Sequence, residues 1–412
     1  VRFPLLSPFD ITRHNIAPPA GVGELVLSSR PAAYCGVAGG GGATGPPSLY
    51  ARGGDERSGT SLRTMTAQQP PQTETAPGPD YLYIASRLAA PVFLLLVVLF
   101  FAVLEPNFLT PFNLLNVMRQ VSIAGLIAVG MTFVILTAGI DLSVGSLLAF
   151  SGMVGAYVAK GGLDDRFAVG DAVGSGNPWF LALGTALLVG VICGAAQGFT
   201  ISKFKVPPFV VTLGGLTIFR GLTLWVSDRG PISGFDADYA FWGRGKVDLL
   251  FLEDVPIPAI IFVIAAVIAG IVLRYTRYGQ HVYATGGNRE AAKLNGISTE
   301  RIIFSVYVLT GFMCGLAAFL LSARLGSAEA VAGQGLELVV IASVVIGGTS
   351  LFGGVGGILG TVVGVILIGV LQNGLVLLNV ESYIQLVVIG LVLIAAVAFD
   401  QFATRSRRQA GG

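Results

Sequence analysis

Long apolar runs separated by short polar segments dominate this chain. Crossing a hydrocarbon core takes roughly 20 apolar residues in a helix, and other open backbone structures cannot face lipid because their polar groups stay unpaired. The pattern predicts an all-α, polytopic membrane protein with about ten spans, although eight or nine remain possible because the third and eighth runs are short or interrupted by glycine. The runs cover residues 88–104, 121–138, 143–159, 178–201, 208–227, 255–274, 302–324, 336–350, 355–378 and 384–400.

The composition agrees with a membrane class and excludes several others. Only 12% of the residues are charged and 53% are hydrophobic, whereas soluble domains carry about 25% charged residues. Basic clusters interleaved with aromatic residues are missing from the sequence, so nucleic-acid binding has no support. Two histidines and three widely spaced cysteines give neither a metal-ligand spacing nor a disulfide framework. We therefore expect no metal, and no cofactor bound by this chain.

The first 80 residues form a separate compositional segment. They contain 11 of the 20 prolines and no lasting periodicity, so this segment cannot bury enough apolar surface to offset its chain entropy. We predict a disordered N-terminal tail over 1–80. Because the first methionine is Met65, we hypothesise that residues 1–64 do not belong to the physiological product; the alternative is a genuine unstructured tail.

The distribution of basic residues predicts the orientation of the spans. Lys and Arg favour cytoplasmic loops, and they are concentrated in the 275–301 loop and in the 403–412 tail. The 228–254 loop is rich in acidic residues and is expected to face outward. Ten spans with both ends in the cytoplasm satisfy these assignments.

Glycines at helical spacing occur within two of the runs: Gly190, Gly194 and Gly198 in the fourth, and Gly356, Gly360 and Gly364 in the ninth. Small residues four positions apart let helix backbones approach closely in lipid. Close packing is the interpretation we favour. The alternative is that these smooth faces let helices slide during a transport cycle.

A few polar residues within or between the runs are candidates for a solute path, because polar groups at membrane depth are costly and are often functional. The candidate residues are Asp141, Gln197, Arg220, Gln372 and Asn373. Each also has a structural interpretation. Asp141 and Ser143 can cap a helix, Arg220 can extend to the outer interface near Asp228, and the amides can hydrogen-bond neighbouring helices.

The polar loop at 275–301 has the pattern of a short helix between two breaks. Gly286 and Gly287 end one helix, Asn288 can cap the next with Glu290 in its first turn, and Gly296 ends it. Anchored between rigid spans, such a helix would act as a lever that delivers motion to the sixth and seventh spans. An ordinary solvated loop is the alternative from the residues alone.

The Glu290-Ala291-Ala292 triplet followed by Gly296 resembles the coupling loop of ABC import permeases. Segments 139–152, 207–222, 283–297 and 345–361 resemble ribose- and xylose-type sugar ABC permeases, and the likeness runs from about 85 to 400. The resemblance implies a type II importer-like transmembrane domain over 85–402. It also implies that the loop contacts a cytoplasmic ATPase through six residues: Asn288, Arg289, Glu290, Ala291, Ala292 and Gly296.

The same resemblance implies a functional context in the inner (plasma) membrane of a bacterium. Two permease copies, most simply a homodimer, would form an alternating-access path for a monosaccharide of ribose, xylose or galactose type. An extracytoplasmic sugar-binding protein would deliver this solute. ATP and Mg would be bound by the partner ATPase, in agreement with the lack of a phosphate-loop motif in the sequence, so this chain would not itself be an enzyme.

Two other functions stay open at this point. An ion-coupled secondary transporter would need carboxylates within the membrane, for which Asp141 is the main candidate. An ABC permease for branched amino acids or nucleosides is the second alternative.

Overall fold

The computed structural model describes residues 81–161, 176–227, 230–249 and 252–410. The predicted disordered tail over 1–80, with the hypothetical start at Met65, lies outside the described residues. The predicted basic tail over 403–412 is described as far as Ala410, where it continues the last helix.

The described part of the chain is mostly helical, as the apolar runs predicted. It forms α1 (Tyr81–Leu104), α2 (Pro111–Leu136), α3 (Val144–Ala159), α4 (Trp179–Lys203), α5 (Pro208–Val226), β1 (Ile232–Ser233), α6 (Ala237–Arg244), β2 (Lys246–Leu249), β3 (Leu252–Pro256), α7 (Ile257–Tyr275), α8 (Arg277–Gly287), α9 (Arg289–Leu294), α10 (Thr299–Leu325), β4 (Ser327–Ala328), α11 (Leu336–Ile346), α12 (Ile358–Leu377) and α13 (Ser382–Ala410).

In the described ranges, six helices are long and apolar enough to cross a membrane: α2, α4, α5, α7, α10 and α12. Four shorter apolar segments, Ala90–Leu104, Val144–Ala159, Leu336–Ile346 and Ser382–Ala395, coincide with the first, third, eighth and tenth predicted runs. The polytopic helical class is confirmed. The count of ten spans and the location of the termini stay predictions.

Two helices differ from their predicted boundaries by ten residues: α13 ends at Ala410 rather than at residue 400, and α2 begins at Pro111 rather than at residue 121. The polar residues of its first turns conceal the helix from a hydropathy reading. Local chemistry nevertheless starts the helix there, because the Thr110 side chain accepts the Asn113 N–H and proline at the first helical position lacks only an N–H that would be unpaired anyway. Prolines also lie at the starts of α5 and α7.

Helices α2 and α10 form the centre of the bundle. Helix α10 packs against α2, α3 and α4, and α2 packs also against α7, α11 and α12. Both helices are apolar around their circumference and mostly buried, as expected for helices surrounded by other helices. The interface of α4 with α10 brings Gly190 and Gly194 against the backbone of Gly311 and Tyr307, which supports close packing as the role of these glycines.

The glycine pattern predicted for the ninth span is correct for only two of its three residues. Gly360 and Gly364 lie in α12 and pack against the backbone of Gly347 and Ser343 at the end of α11. Gly356 lies before the helix with a φ of +139° and does not share that face. It belongs to the 347–357 loop, a glycine-rich segment that separates α11 from α12.

Opposite ends of α10 carry different structures. Near its C-terminus, β1 pairs with β4 in an antiparallel register that matches Ile232 with Ala328, and α6 is fixed by a 2.7 Å hydrogen bond between the Tyr239 and Ser322 hydroxyls. Helices α8 and α9 precede its N-terminus. Because 27 residues of helix rise 1.5 Å each, these two ends lie roughly 40 Å apart.

Candidate coupling and transport sites

The short helix predicted in the polar loop is present as α9. The Asn288 side chain accepts the Ala291 N–H at 2.9 Å and thereby satisfies one of the free N–H groups at the helix start. The helix is followed by Gly296, whose φ of +80° is a left-handed conformation that favours glycine. The position of the helix between two breaks, as read from the sequence, is therefore correct.

Helix α9 presents both polar and apolar groups on its exposed side. Leu294 is 89% exposed, whereas Ala292 is buried against the body of the protein. Lys293 and Glu290 form an ion pair of 3.0 Å on the surface, and such exposed pairs contribute little to stability. Arg289 is half-buried. Leu294 was not among the predicted coupling residues, although a large apolar residue within a polar loop was a signal that could have identified it.

Helix α8 connects this surface to the interior of the bundle. The Tyr283 hydroxyl donates a 2.8 Å hydrogen bond to the Gly356 carbonyl in the 347–357 loop. Burial raises the pKa of the Tyr283 phenol, so the group stays protonated and remains a donor. The Gly354 N–H of the same loop donates to the Leu136 carbonyl at 2.9 Å. These residues are far apart in the chain, so no local sequence pattern indicates this contact.

The turn between α2 and α3, residues 137–143, contains a small buried polar cluster. Asp141 Oδ1 accepts the Ser143 N–H at 2.9 Å and the Ser143 hydroxyl at 2.6 Å. The Gln197 amide of α4 donates to the same hydroxyl at 2.8 Å. Asp141 is 1% exposed, so it does not lie at a surface.

The capping hypothesis for Asp141 and Ser143 needs correction. Ser143 precedes the first residue of α3, but its side chain makes no capping hydrogen bond to the helix. Its hydroxyl instead donates to Asp141, which accepts the Ser143 N–H rather than an N–H of the helix itself. The carboxylate thus stabilises the turn, and Gln197 joins that turn to α4.

Arg220 makes tertiary contacts that neither of its predicted roles specified. Its guanidinium donates to the Ala330 carbonyl and, at 3.1 Å, to the Ala332 carbonyl in the link between α10 and α11. Arg220 therefore fixes this link to α5. Its predicted neighbour Asp228 lies outside the described residues.

Glu337 is a charged residue that the sequence analysis did not select. It lies in the first turn of α11, and its carboxylate and the Gly333 carbonyl face Gly145 in the first turn of α3. Two short helices, α3 and α11, therefore bring their N-termini together beside Glu337. An acidic residue at the first turn of an apolar run was the signal that could have identified it.

The two remaining candidates occupy a third region. Asn373 on α12 and Asn113 on α2 form a pair of side-chain hydrogen bonds. Gln372, which precedes Asn373, is half-buried. The five predicted path residues thus divide into three groups: Asp141 with Gln197, Arg220 near Glu337, and Asn373 with its neighbour Gln372.

A bundle of apolar helices, together with an exposed and capped helix at one end, defines a polytopic membrane protein. Residues 113–397 match the family model described as "Branched-chain amino acid transport system / permease component". The chain belongs to this family of transport-system permeases.

Its curated relatives include several import permeases. The chain is 44% identical to the ribose import permease of Bacillus subtilis (strain 168), over 75% of this chain and 90% of that protein. It is 40% identical to the D-allose transport system permease of Escherichia coli (strain K12), over 76% and 90%. It is 34% identical to the xylose transport system permease of Haemophilus influenzae, over 71% and 90%. No solved structure matches the chain.

Proposed function

We propose that this chain is the membrane-spanning permease subunit of an ATP-driven ABC importer and that it carries a monosaccharide. Relatives at 34–44% identity that are named for ribose, D-allose and xylose support this class of solute. Although the family model bears the name of branched-chain amino acids, these relatives favour sugar over amino acids or nucleosides. The protein would lie in a bacterial inner membrane with ten spans and both ends in the cytoplasm.

The observation that carries the energy-coupling part of the proposal is the exposed helix α9. This helix is short and is capped by Asn288. Its Ala292 side chain is buried against the body of the protein, whereas Leu294 and Glu290 are exposed to solvent. An exposed leucine at the end of a polar helix suits insertion into a groove of a soluble partner. We infer that this partner is an ABC ATPase, which binds ATP and Mg, while this chain does not catalyse hydrolysis.

The solute path is proposed to lie beside α5 and the N-termini of α3 and α11. Arg220 and Glu337 supply charged hydrogen-bonding groups there, and hydroxyl-rich solutes can use both kinds of group. A second permease copy would complete the path, and an extracytoplasmic sugar-binding protein would deliver the solute. ATP-driven movement of α9 would then alternate access between the two sides.

The ion-coupled secondary transporter is less well supported by the site. Such a protein needs a membrane carboxylate that exchanges an ion, and Asp141 was the main candidate. One of its oxygens is already occupied by the Ser143 N–H and hydroxyl, within a buried turn. This arrangement favours a structural role for Asp141.

The proposal is tested by reconstituting the chain in liposomes with its ATPase and binding protein. We expect uptake of labelled sugar to require ATP and to disappear when the ATPase carries an inactivating change in its phosphate loop. Uptake that persists with the inactive ATPase and collapses with an ion gradient would overturn the proposal in favour of a secondary transporter. A thermal-shift screen of the binding protein against ribose, xylose, D-allose and galactose would identify the solute.

A further inference from the structure

The last turn of α8 lies in direct backbone contact with two other parts of the bundle. A Cβ atom added to Gly286 would overlap the Leu136 carbonyl at the end of α2 and would lie 2.8 Å from the Gly354 nitrogen. A Cβ atom on Gly353 would lie 2.9 Å from both the Gly286 oxygen and the Ala138 nitrogen. Three backbone segments therefore meet at this point without intervening side chains.

Hydrogen bonds fix the three segments to one another. The Gly354 N–H donates to the Leu136 carbonyl at 2.9 Å, and the Tyr283 hydroxyl donates to the Gly356 carbonyl at 2.8 Å. Gly353 and Gly354 have φ values of +84° and +73°, a conformation that side-chain-bearing residues adopt at a cost. The loop thus combines left-handed backbone with a close approach to α8. We call this set of contacts the α8 junction.

The α8 junction continues into the helices that carry the proposed path. Leu136 ends α2 and Ala138 lies in the 137–143 turn, whose Ile140 carbonyl accepts the Thr212 hydroxyl of α5 at 3.2 Å. The same turn receives the Gln197 amide of α4 through Ser143. Helix α5 also carries Arg220. Contacts therefore run without interruption from α9, through α8 and the 137–143 turn, to α4 and α5.

We propose that Gly286 and Tyr283 are positioning residues that transmit displacement of α9 to the 137–143 turn and to the 347–357 loop. The sequence predicted delivery of motion only to the spans flanking the lever, which are α7 and α10. The α8 junction adds a second route that reaches elements distant in the chain. Because the backbones are in direct contact, no flexible side chain can absorb a shift between them. A small movement of α8 must therefore displace both the C-terminal end of α2 and the 347–357 loop. This inference rests on the proposed coupling of the permease to an ATPase.

The matched variants Gly286→Ala and Gly287→Ala test the α8 junction. Both residues lie at the end of α8, but a Cβ on Gly287 would meet nothing within 4 Å. We expect Gly286→Ala to retain ATPase binding and ATP hydrolysis while sugar uptake per ATP hydrolysed falls roughly tenfold, within the usual range for coupling between sites. Gly287→Ala is expected to retain the wild-type ratio. A wild-type ratio in Gly286→Ala, or an equal loss in both variants, would overturn the proposal.

Tyr283→Phe provides a second test, because it removes one hydroxyl and adds no atoms. We expect a several-fold lower uptake per ATP, while the thermal midpoint of the permease falls only by the amount that the loss of one hydrogen bond causes. If Gly286→Ala fails to fold, this variant decides the question, and an unaltered ratio would refute the junction. A wild-type complex without ATP-dependent uptake would instead refute the proposed function itself, and with it the role of the junction.

Discussion

Asn113 and Asn373 exchange two side-chain hydrogen bonds of 2.8 Å although 260 residues separate them in the chain. Each amide donates its N–H to the oxygen of the other, and Asn113 donates a further hydrogen bond to the Phe108 carbonyl. The pair fastens α12 to the first turn of α2. Asn373 was a candidate for the solute path, and its geometry favours a role in helix association instead.

The asparagine pair predicts a specific stability effect. We expect Asn373→Ala and Asn113→Ala each to lower the free energy of unfolding, and a double-mutant cycle to give a coupling of about 0.6 kcal/mol, the average for hydrogen bonds between membrane helices. Thermal or denaturant unfolding in lipid bicelles measures this coupling. The neighbouring Gln372→Ala serves as the control and should show no coupling to Asn113. Additive effects of the two asparagine changes would refute the interaction.

Close packing of α4 against α10 predicts different outcomes for two glycines on the same helix. A Cβ on Gly194 would overlap the Tyr307 carbonyl, whereas a Cβ on Gly184 would meet nothing within 4 Å. We expect Gly194→Ala to destabilise the protein by roughly 1–3 kcal/mol, as overpacking does. Gly184→Ala should be neutral or slightly stabilising, because Ala exceeds Gly in helix propensity by about 1 kcal/mol. Equal unfolding midpoints for the two variants would contradict this account.

Leu294 is expected to carry much of the contact with the ATPase. Burying a leucine side chain contributes about 1.5–3 kcal/mol, so Leu294→Asp should weaken ATPase binding by roughly tenfold or more. Titration of the ATPase onto the permease in nanodiscs measures the dissociation constant. The thermal midpoint of the free permease should not change, because Leu294 is 89% exposed.

The adjacent variant Lys293→Ala is the control for Leu294. It removes only the exposed ion pair with Glu290, which is worth about 0–1 kcal/mol. Its ATPase affinity should therefore stay close to that of the wild type. If Leu294→Asp binds the ATPase as well as Lys293→Ala does, the apolar contact at α9 is refuted.

Arg220 and Glu337 are predicted to act in transport rather than in ATPase binding. The Arg220 Nη1 atom donates to both the Ala330 and the Ala332 carbonyl, so Arg220→Ala, which removes this donor, should release the link between α10 and α11 and lower the sugar uptake rate by about tenfold, in the range of losses for a displaced positioning residue. Glu337→Gln should lower uptake while the ATPase still binds. Uptake in proteoliposomes and ATPase titration measure these two quantities. Thr217→Ala, on the exposed side of α5, is the control, and an equal loss in this variant would refute a specific role.

Much of the architecture could be predicted because local chemistry decides it. The prolines at the starts of α5 and α7, the asparagine cap at α9 and the glycine after it all act within a few residues of the chain. The start of α2 was predicted wrongly because its first turns are polar, although Asn113 is buried through a partner far along the chain. A hydropathy profile cannot show that a polar residue is buried when its hydrogen-bond partner lies on another helix.

The amino-acid sequence alone established that this chain is a helical membrane protein with an exposed, capped helix between two spans. It did so because apolar length and helix-capping chemistry are properties of consecutive residues. The contacts between distant residues became visible in the folded protein: Gln197 contacts Ser143, Arg220 contacts the backbone of the α10–α11 link, and Gly286 contacts Leu136. Each of these contacts joins distant segments, and its energy depends on how whole helices pack, which no local pattern encodes.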